Sequence, residues 1–340
     1  MLKKILLACL VMCFTFSATS SAAVSIKDIG SFYVGGKKIV LEGLQTSEVQ
    51  YVPGGPMMKI DPNGEYIAFQ MYVEYIKLEK PKAKYPMLMW HGGGLSGVTW
   101  ETTPDGRPGW EWIFCQAGND VYISDAVERG RATWARYPEI NPGPPVFRNP
   151  KQAWESFRIG PKYDPDPTKR VLYPDTQFPV EAFEVFMKQS TPRWTSSDKP
   201  TQTAYDELLK MFAGGAVIMS HSQGCGFAWQ AAMNAPQSVK ALIVVEPATF
   251  PAKEVDISAL KGIPVLFLYG DINTDYWKAR RDWGADFRKR LTAQGNDVTW
   301  IELTDKGFKG NSHMLMMDKN NDKSAQLILD WMKEKNLLKK

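Results

Sequence analysis

The sequence predicts an α/β fold in which a mostly parallel sheet is flanked by helices on both faces. Runs of consecutive apolar residues are typical of strands buried on both faces. Helix-length segments separate several of these runs, which favours parallel pairing through right-handed crossovers. A proline- and aromatic-rich segment, approximately 138–200, interrupts this rhythm. The apolar runs are 87–90, 121–123, 216–219, 242–245 and 265–268.

The chain begins with a segment typical of a secretory signal peptide. Lys3 and Lys4 precede an apolar stretch over 5–16, and small residues follow up to position 23. The stretch is too short to span a bilayer. A lipoprotein signal at Cys9 is an alternative, although little apolar chain precedes it. We therefore expect residues 1–23 to be removed and the rest to be exported to the periplasm or the extracellular space, without stable membrane insertion.

Net charge limits the partners expected for the mature domain, residues 24–340, and the positions of its cysteines indicate whether they are bonded. The full chain has a formal net charge of +4, and loss of Lys3 and Lys4 with the signal segment leaves about +2. The sequence has no basic cluster with interleaved aromatic residues that would predict nucleic-acid binding. Cys115 and Cys225 lie beyond the signal segment, on helices expected in the core. Export permits a disulfide, but this placement favours two buried free thiols. The oligomeric state stays open.

The remaining elements follow from local patterns. Residues 32–41 carry two apolar runs around Gly35 and Gly36, which predicts a β-hairpin. A longer strand is predicted over 65–78, where alternate residues from Ile67 are apolar and should share one face. Helices are predicted at 110–118, 203–212, 224–234, 276–294 and 324–335, and a last strand at 298–303.

The segment 138–200 is interpreted as an insertion with at most two short helices. A structureless loop of that length is uncommon in a compact domain unless it covers a site. We therefore predict a cap over the functional site. A structural wrap against the sheet edge is the alternative.

Ser222 is the candidate nucleophile, in the sequence Ser-His-Ser-Gln-Gly at 220–224. It follows a predicted strand and precedes a predicted helix, the arrangement that holds a serine in a strained turn with its hydroxyl exposed. Neighbouring positions must be small because helix and strand cross closely, and Gly224 and Gly226 meet this requirement. Ser220 stands where glycine is usual. A helix N-cap is the alternative role for Ser222.

A glycine-rich loop, His91-Gly-Gly-Gly94, follows the first buried strand. Glycines let the backbone approach a substrate carbonyl and turn N–H groups toward it. The N–H groups of Gly93 and Gln223 are the candidate oxyanion-hole donors, with Gly94 as the alternative to Gly93. We expect His91 to be a buried residue that organises the loop rather than a proton carrier.

His313 is the candidate base, and two carboxylates compete for the acid. The order oxyanion loop, nucleophile, base is that of α/β-hydrolases, with the acid between nucleophile and base. Asp271 has the usual position, two strands after the nucleophile strand. Glu246 ends the strand directly after the nucleophile helix, where a buried carboxylate is costly without a partner. A carboxylate should raise the pKa of His313 above the usual ~6.5, so that activity falls on the acid side around neutrality.

These motifs resemble those of secreted bacterial α/β-hydrolase esterases. The resemblance covers most of the mature chain, and its most specific part is the segment 91–110. It implies a serine carboxylesterase whose acid is a glutamate after the sixth strand of the family's sheet, which favours Glu246 over Asp271. It does not imply a substrate. The other matching residues are Pro53–Pro56, Tyr85–Pro86, Asp125, Arg129–Arg131 and Ser220–Gly226.

The sequence therefore predicts a serine carboxylic-ester hydrolase that acts through an acyl-enzyme on a small-molecule ester. Ser222, His313 and Glu246 form the predicted triad. The aromatic insertion favours a small or medium apolar ester. Lactonase, thioesterase or amidase chemistry would use the same residues, and a non-catalytic binding protein is a remote alternative. No cofactor is expected, and the histidines have no metal-ligand spacing.

Overall fold

A computed structural model describes residues 23–271 and 274–339. The predicted signal peptide lies almost entirely outside these residues. The strands are β1 Ile26–Leu41, β2 Ser47–Val49, β3 Met58–Ile60, β4 Gly64–Leu78, β5 Met87–Trp90, β6 Val121–Asp125, β7 Ala216–His221, β8 Val239–Val245, β9 Val265–Tyr269 and β10 Val298–Glu302. The α-helices are α1 Trp110–Gln116, α2 Pro150–Ser156, α3 Phe183–Met187, α4 Asp198–Lys210, α5 Gly224–Asn234, α6 Asp275–Ala293 and α7 Asn321–Glu334.

Eight strands form one sheet in the order β1-β4-β6-β5-β7-β8-β9-β10. The six strands from β6 to β10 in this order are parallel, whereas β1 and β4 run antiparallel at one edge. Helices cover both faces, so the predicted α/β-hydrolase fold is confirmed. The carboxyl ends of β7, β8 and β9 lie side by side, which brings together the loops that follow them.

The central strands are apolar throughout because each contributes to two cores. Alternate residues of β7 point to opposite faces, so Val217 and Met219 join one core and Ile218 joins the other. Helices α1 and α7 cover the first core, and α4, α5 and α6 cover the second. This double burial explains why these strands read as continuous apolar runs.

The predicted N-terminal hairpin is wrong. β1 is one continuous strand that pairs with β4 along its length, and Gly35 and Gly36 lie within it at φ of 70° and 88°. Opposite them, Phe69 also has a positive φ of 68°. The side-chain alternation of β4 changes there, so Ala68 is buried and Ile67 is exposed. The expectation that alternate residues from Ile67 share one face fails for this reason.

The segment 138–200 packs against the core shared with α1 and α7. It contains two short α-helices, α2 and α3, in agreement with the predicted limit of two, and it ends with the first residues of α4. Five of its buried aromatic side chains lie in that core and Trp194 is buried outside it, whereas Phe147 is exposed. A cap function for the segment stays a prediction. The buried aromatic residues are Trp154, Phe157, Phe178, Phe183, Phe186 and Trp194.

Cys115 and Cys225 are free and buried, as their helical positions predict. They lie in the two different cores, on opposite faces of the sheet. Within the described residues, no helix is long and apolar enough to cross a membrane.

Candidate active site

The turn between β7 and α5 holds Ser222 in the left-handed region, at φ of 53°. Its backbone N–H donates to the Val245 carbonyl at 3.0 Å, which ties the turn to β8. A Cβ atom on Gly224 would lie 2.6 Å from the His91 carbonyl oxygen, so no side chain fits there. At Gly226 a Cβ atom would lie 2.5 Å from Thr249 Oγ1, so the Thr249 side chain would have to move. The close crossing of strand and helix therefore requires the small residues seen in the motif.

A chain of two hydrogen bonds joins the three predicted triad residues. His313 Nε2 lies 2.9 Å from Ser222 Oγ, and His313 Nδ1 lies 2.9 Å from Glu246 Oε2. The carboxylate can only accept, so Nδ1 carries the proton and Nε2 is left free to accept from the Ser222 hydroxyl. Ser222 is half-buried, whereas His313 and Glu246 are buried.

Arg158, from the segment 138–200, forms a buried ion pair with Glu246. Its two terminal nitrogens each lie 2.8 Å from one carboxylate oxygen, and both side chains are fully buried. Gly270 N–H also donates to Glu246 Oε1 at 2.5 Å. Burial alone would raise the pKa of Glu246, but the Arg158 charge and the bond from His313 hold it well below its usual range. The carboxylate therefore stays ionised.

Aromatic rings enclose the His313 imidazole. Its ring centroid lies 3.9 Å from that of Trp277 and 5.8 Å from that of Phe157. Burial lowers the pKa of His313 to about 4, because it outweighs the opposing effect of Glu246, and Arg158 lowers it further. The expected rise above the usual value is therefore wrong. Glu246 favours the imidazolium through its charge and its hydrogen bond, but burial opposes the charged form more strongly.

The glycine-rich loop after β5 is oriented by two side chains. His91 Nδ1 lies 2.9 Å from the Gly92 carbonyl oxygen, and Arg148 donates to the Gly93 carbonyl at 3.0 Å. In a trans peptide the C=O and the next N–H point in opposite directions. His91 therefore orients the N–H of Gly93, and Arg148 orients that of Gly94.

Gly93 is the residue of this loop that reaches the pocket. It is half-buried and lies against Gln223, whereas Gly92 and Gly94 are buried. The Ser222 carbonyl accepts from the Cys225 and Ala248 N–H groups, both at 3.2 Å, which orients the N–H of Gln223. Among the described residues, neither the Gly93 nor the Gln223 N–H has a hydrogen-bond acceptor. Both donors are thus free beside Ser222.

The other two histidines are buried and neutral. His91 Nε2 accepts from the Ala126 N–H at 3.1 Å, and burial lowers its pKa to about 4. His221 Nε2–H donates to the His313 carbonyl at 2.9 Å. Burial and the nearby His313 hold the pKa of His221 well below its usual value. His91 thus supports the loop, and His221 supports the backbone that carries His313.

Two known proteins are similar to this chain over most of its length. A solved structure described as a novel bacterial esterase is 34% identical, has a TM-score of 0.78, and matches over 92% of this chain and 97% of its own. The probable secreted lipase phiG of a fungal species (strain ATCC 74256) is 26% identical over 337 residues, 80% of this chain and 88% of that protein. No protein-family model matches the chain. This chain belongs to the esterases and lipases of the α/β-hydrolase superfamily.

The pocket of this hydrolase has a volume of about 480 Å³ and has Ser222 and His313 in its wall. One part of its lining is apolar, formed by residues of the sheet loops, the segment 138–200 and α6. Another part is charged. The apolar residues are Leu95, Phe157, Phe227, Ala248 and Trp277, and the charged residues are Arg148, Arg193, Asp198 and Arg280.

Asp271, the other candidate acid of this hydrolase, does not contact His313. Its Oδ2 accepts from the Gly310 N–H at 2.9 Å, and its own N–H donates to the Asn311 carbonyl at 3.3 Å. Asp271 therefore anchors the loop that carries His313.

Sequence reasoning missed Arg158. It lies between Phe157 and Ile159 in a segment without a recognisable motif, so no local signal marks its role. An arginine flanked by apolar residues is a weak hint of burial. Arg158 also gives the segment 138–200 a structural role, because deleting that segment would leave Glu246 without its cation. In the described residues no group of three or more histidine, cysteine or acidic side chains is placed to hold a metal ion.

Proposed function

We propose that this hydrolase is a serine carboxylesterase that works through an acyl-enzyme. The observation that carries the proposal is the hydrogen-bonded series from Ser222 through His313 to Glu246 at the wall of the pocket. The free N–H groups beside Ser222 support the same reaction, because a tetrahedral intermediate needs donors where its oxyanion forms.

In the proposed reaction, the Ser222 oxygen attacks the ester carbonyl while His313 Nε2 takes its proton. Glu246 holds the His313 tautomer and stabilises the imidazolium that forms. The N–H groups of Gly93 and Gln223 bind the oxyanion. His313 then gives its proton to the leaving alcohol, and a water molecule, activated by the same imidazole, releases the acid. No metal or organic cofactor takes part in these steps.

The substrate class follows from the pocket. Its size suits a small or medium ester, and Leu95, Phe227 and Trp277 offer apolar surface to an acyl or alcohol chain. We also propose that the mature protein is exported. The signal-like pattern of residues 1–23 and the name of the fungal relative, a secreted lipase, support this.

Active-site labelling tests the nucleophile. A fluorophosphonate should label the wild-type protein at Ser222, and the protein should hydrolyse p-nitrophenyl esters. Ser222→Ala should lose both activities. Ser156→Ala is the matched control, since Ser156 lines the same pocket and its hydroxyl has no partner among the described residues. Full labelling of Ser222→Ala, or no labelling of the wild type, would show that the proposed nucleophile is wrong.

A further inference from the structure

Positive charge dominates the proposed substrate pocket. Arg148, Arg193 and Arg280 line it, and Asp198 is the one carboxylate among the described lining residues. Arg193 lies 3.6 Å from Asp198, a loose pair at a half-exposed carboxylate. Asp198 therefore balances at most one of the three cations, and the pocket keeps a net charge of about +2.

Two of these guanidinium groups have no carboxylate partner within the described residues. Arg148 donates one hydrogen bond to the Gly93 carbonyl and stacks over Phe157, with its carbon 4.5 Å from the ring centroid. Arg280 stacks over Tyr276 at 3.5 Å, and its Nε is buried without an acceptor. A guanidinium group has five N–H donors in a planar fork, so most of the donors of both residues are unused.

A fourth arginine, Arg129, lies close enough to Arg193 and Arg148 to interact with their charges. It is 5% exposed, and among the described residues its guanidinium group makes one hydrogen bond, a long one of 3.4 Å to Thr191 Oγ1. Burial and the neighbouring Arg193 lower its pKa to about 10. Buried arginines are normally paired with carboxylates. This group of like charges is costly in the empty pocket, and an anion would relieve the cost.

We propose that the natural substrate is an ester bearing a free carboxylate, which Arg193 binds together with Arg148 or Arg280. A carboxylate matches the guanidinium fork with two parallel hydrogen bonds, and such charge-assisted pairs are strong where water is scarce. The apolar residues that line the same pocket hold the connecting carbon chain. This inference rests on the proposed esterase function and names its substrate class: monoesters of dicarboxylic acids or esters of hydroxy acids.

Matched substrate pairs test the proposal. In the first pair the charge is on the acyl side, p-nitrophenyl hydrogen glutarate against p-nitrophenyl hexanoate. In the second it is on the alcohol side, the butyrate ester of 4-hydroxybutanoate against butyl butyrate, followed by acid release. We expect kcat/KM to favour the charged member of at least one pair by about tenfold or more, less so at high salt. No preference for the charged member in either pair would overturn the proposal.

Three variants locate the effect. Arg193→Gln should reduce the charged-to-neutral ratio of kcat/KM about tenfold, and Asp198→Asn should increase it by freeing Arg193. The ratio cancels any general loss of activity. Arg288→Gln is the control, because it removes a positive charge from an exposed position on α6 outside the pocket, and it should leave the ratio unchanged. An equal change in Arg288→Gln and Arg193→Gln would assign the preference to net charge and reject the site. Hydrolysis of neutral esters and labelling of Ser222 test the esterase function separately.

Discussion

The carboxyl ends of two neighbouring strands each carry an acidic side chain, but only one of them reaches His313. After β8, Glu246 is fully buried between Arg158 and the imidazole. After β9, Asp271 is half-buried and bonds to the backbone of the loop that carries His313. Both lie at the same edge of the sheet, Glu246 directly after β8 and Asp271 two residues beyond the end of β9, so position alone does not assign the acid.

The two carboxylates differ in the number of hydrogen-bond donors that the rest of the chain supplies to them. Glu246 has a φ of 52° and takes donors from three separate segments, through Arg158, Gly270 and His313. A buried carboxylate is tolerated only when such partners offset its desolvation. Asp271 has one backbone donor, at Oδ2, and its Oδ1 is buried without a donor among the described residues. A carboxylate can therefore serve as the acid of this site when it contacts both the histidine and a buried cation, as Glu246 contacts His313 and Arg158.

The largest expected effect is the difference in kcat between a variant of Glu246 and a variant of Asp271. Glu246→Gln should lower kcat by about 10⁴-fold, because the amide cannot stabilise the imidazolium and can favour the wrong tautomer. Asp271→Asn should lower kcat by less than about tenfold, since it keeps an oxygen acceptor for Gly310. Steady-state kinetics on a p-nitrophenyl ester measures both. A larger loss in Asp271→Asn than in Glu246→Gln would reverse the assignment.

Next in size is the stability contribution of the buried ion pair. Arg158→Met should lower the free energy of unfolding by about 3–5 kcal/mol, because it leaves Glu246 buried without its cation. Urea denaturation measures the change. Arg170→Met is the matched control from the same segment. Its side chain is also buried, but its partner Glu184 is 60% exposed, so a smaller loss is expected.

A double variant sharpens this prediction. Adding Glu246→Gln to Arg158→Met removes the unpaired charge, so the pair of changes should cost less than the sum of the single changes. Strict additivity would show that Arg158 stabilises the fold by packing alone.

The pH profile tests the same ion pair through His313. The base must be neutral, so kcat/KM should be level near neutrality and fall as pH decreases through about 4, the pKa of His313. Arg158 opposes protonation of the imidazole, so Arg158→Met should move this acidic limb to higher pH. Arg170→Met should leave it in place. A wild-type limb near pH 7, or one that Arg158→Met does not move, would contradict this account of the charge balance.

The smallest expected effect concerns the anchoring role of Asp271. Asp271→Asn should lower the free energy of unfolding by about 1 kcal/mol. The Gly310 N–H keeps an oxygen acceptor in this variant, but the acceptor loses its charge and the hydrogen bond becomes weaker. Asp286→Asn, at an exposed site on α6, should change it less. A loss as large as that of Arg158→Met would mean that Asp271 has a structural role beyond the Gly310 contact.

Much of the fold follows from the sequence because the central strands are buried on both faces. β5 and α5 begin and end where the apolar run and the glycine signals predict. The hairpin at Gly35 was wrong because two glycines also permit a distortion inside a continuous strand, and only pairing with β4 distinguishes the two. Within 138–200, α2 and α3 agree with the predicted limit of two short helices. Their positions do not follow from the sequence, because helices this short depend on packing against the core rather than on periodicity.

By itself the sequence determined the sheet, the turn at Ser222, the glycine loop and the order of the candidate groups, because each depends on residues close together in the chain. Tertiary structure decided which carboxylate meets His313, the direction of the His313 pKa shift and the clustering of arginines in the pocket. Arg158 and Glu246 are 88 residues apart, and no local pattern links them. Burial and charge pairing act through space, so they become visible only when distant segments are packed together.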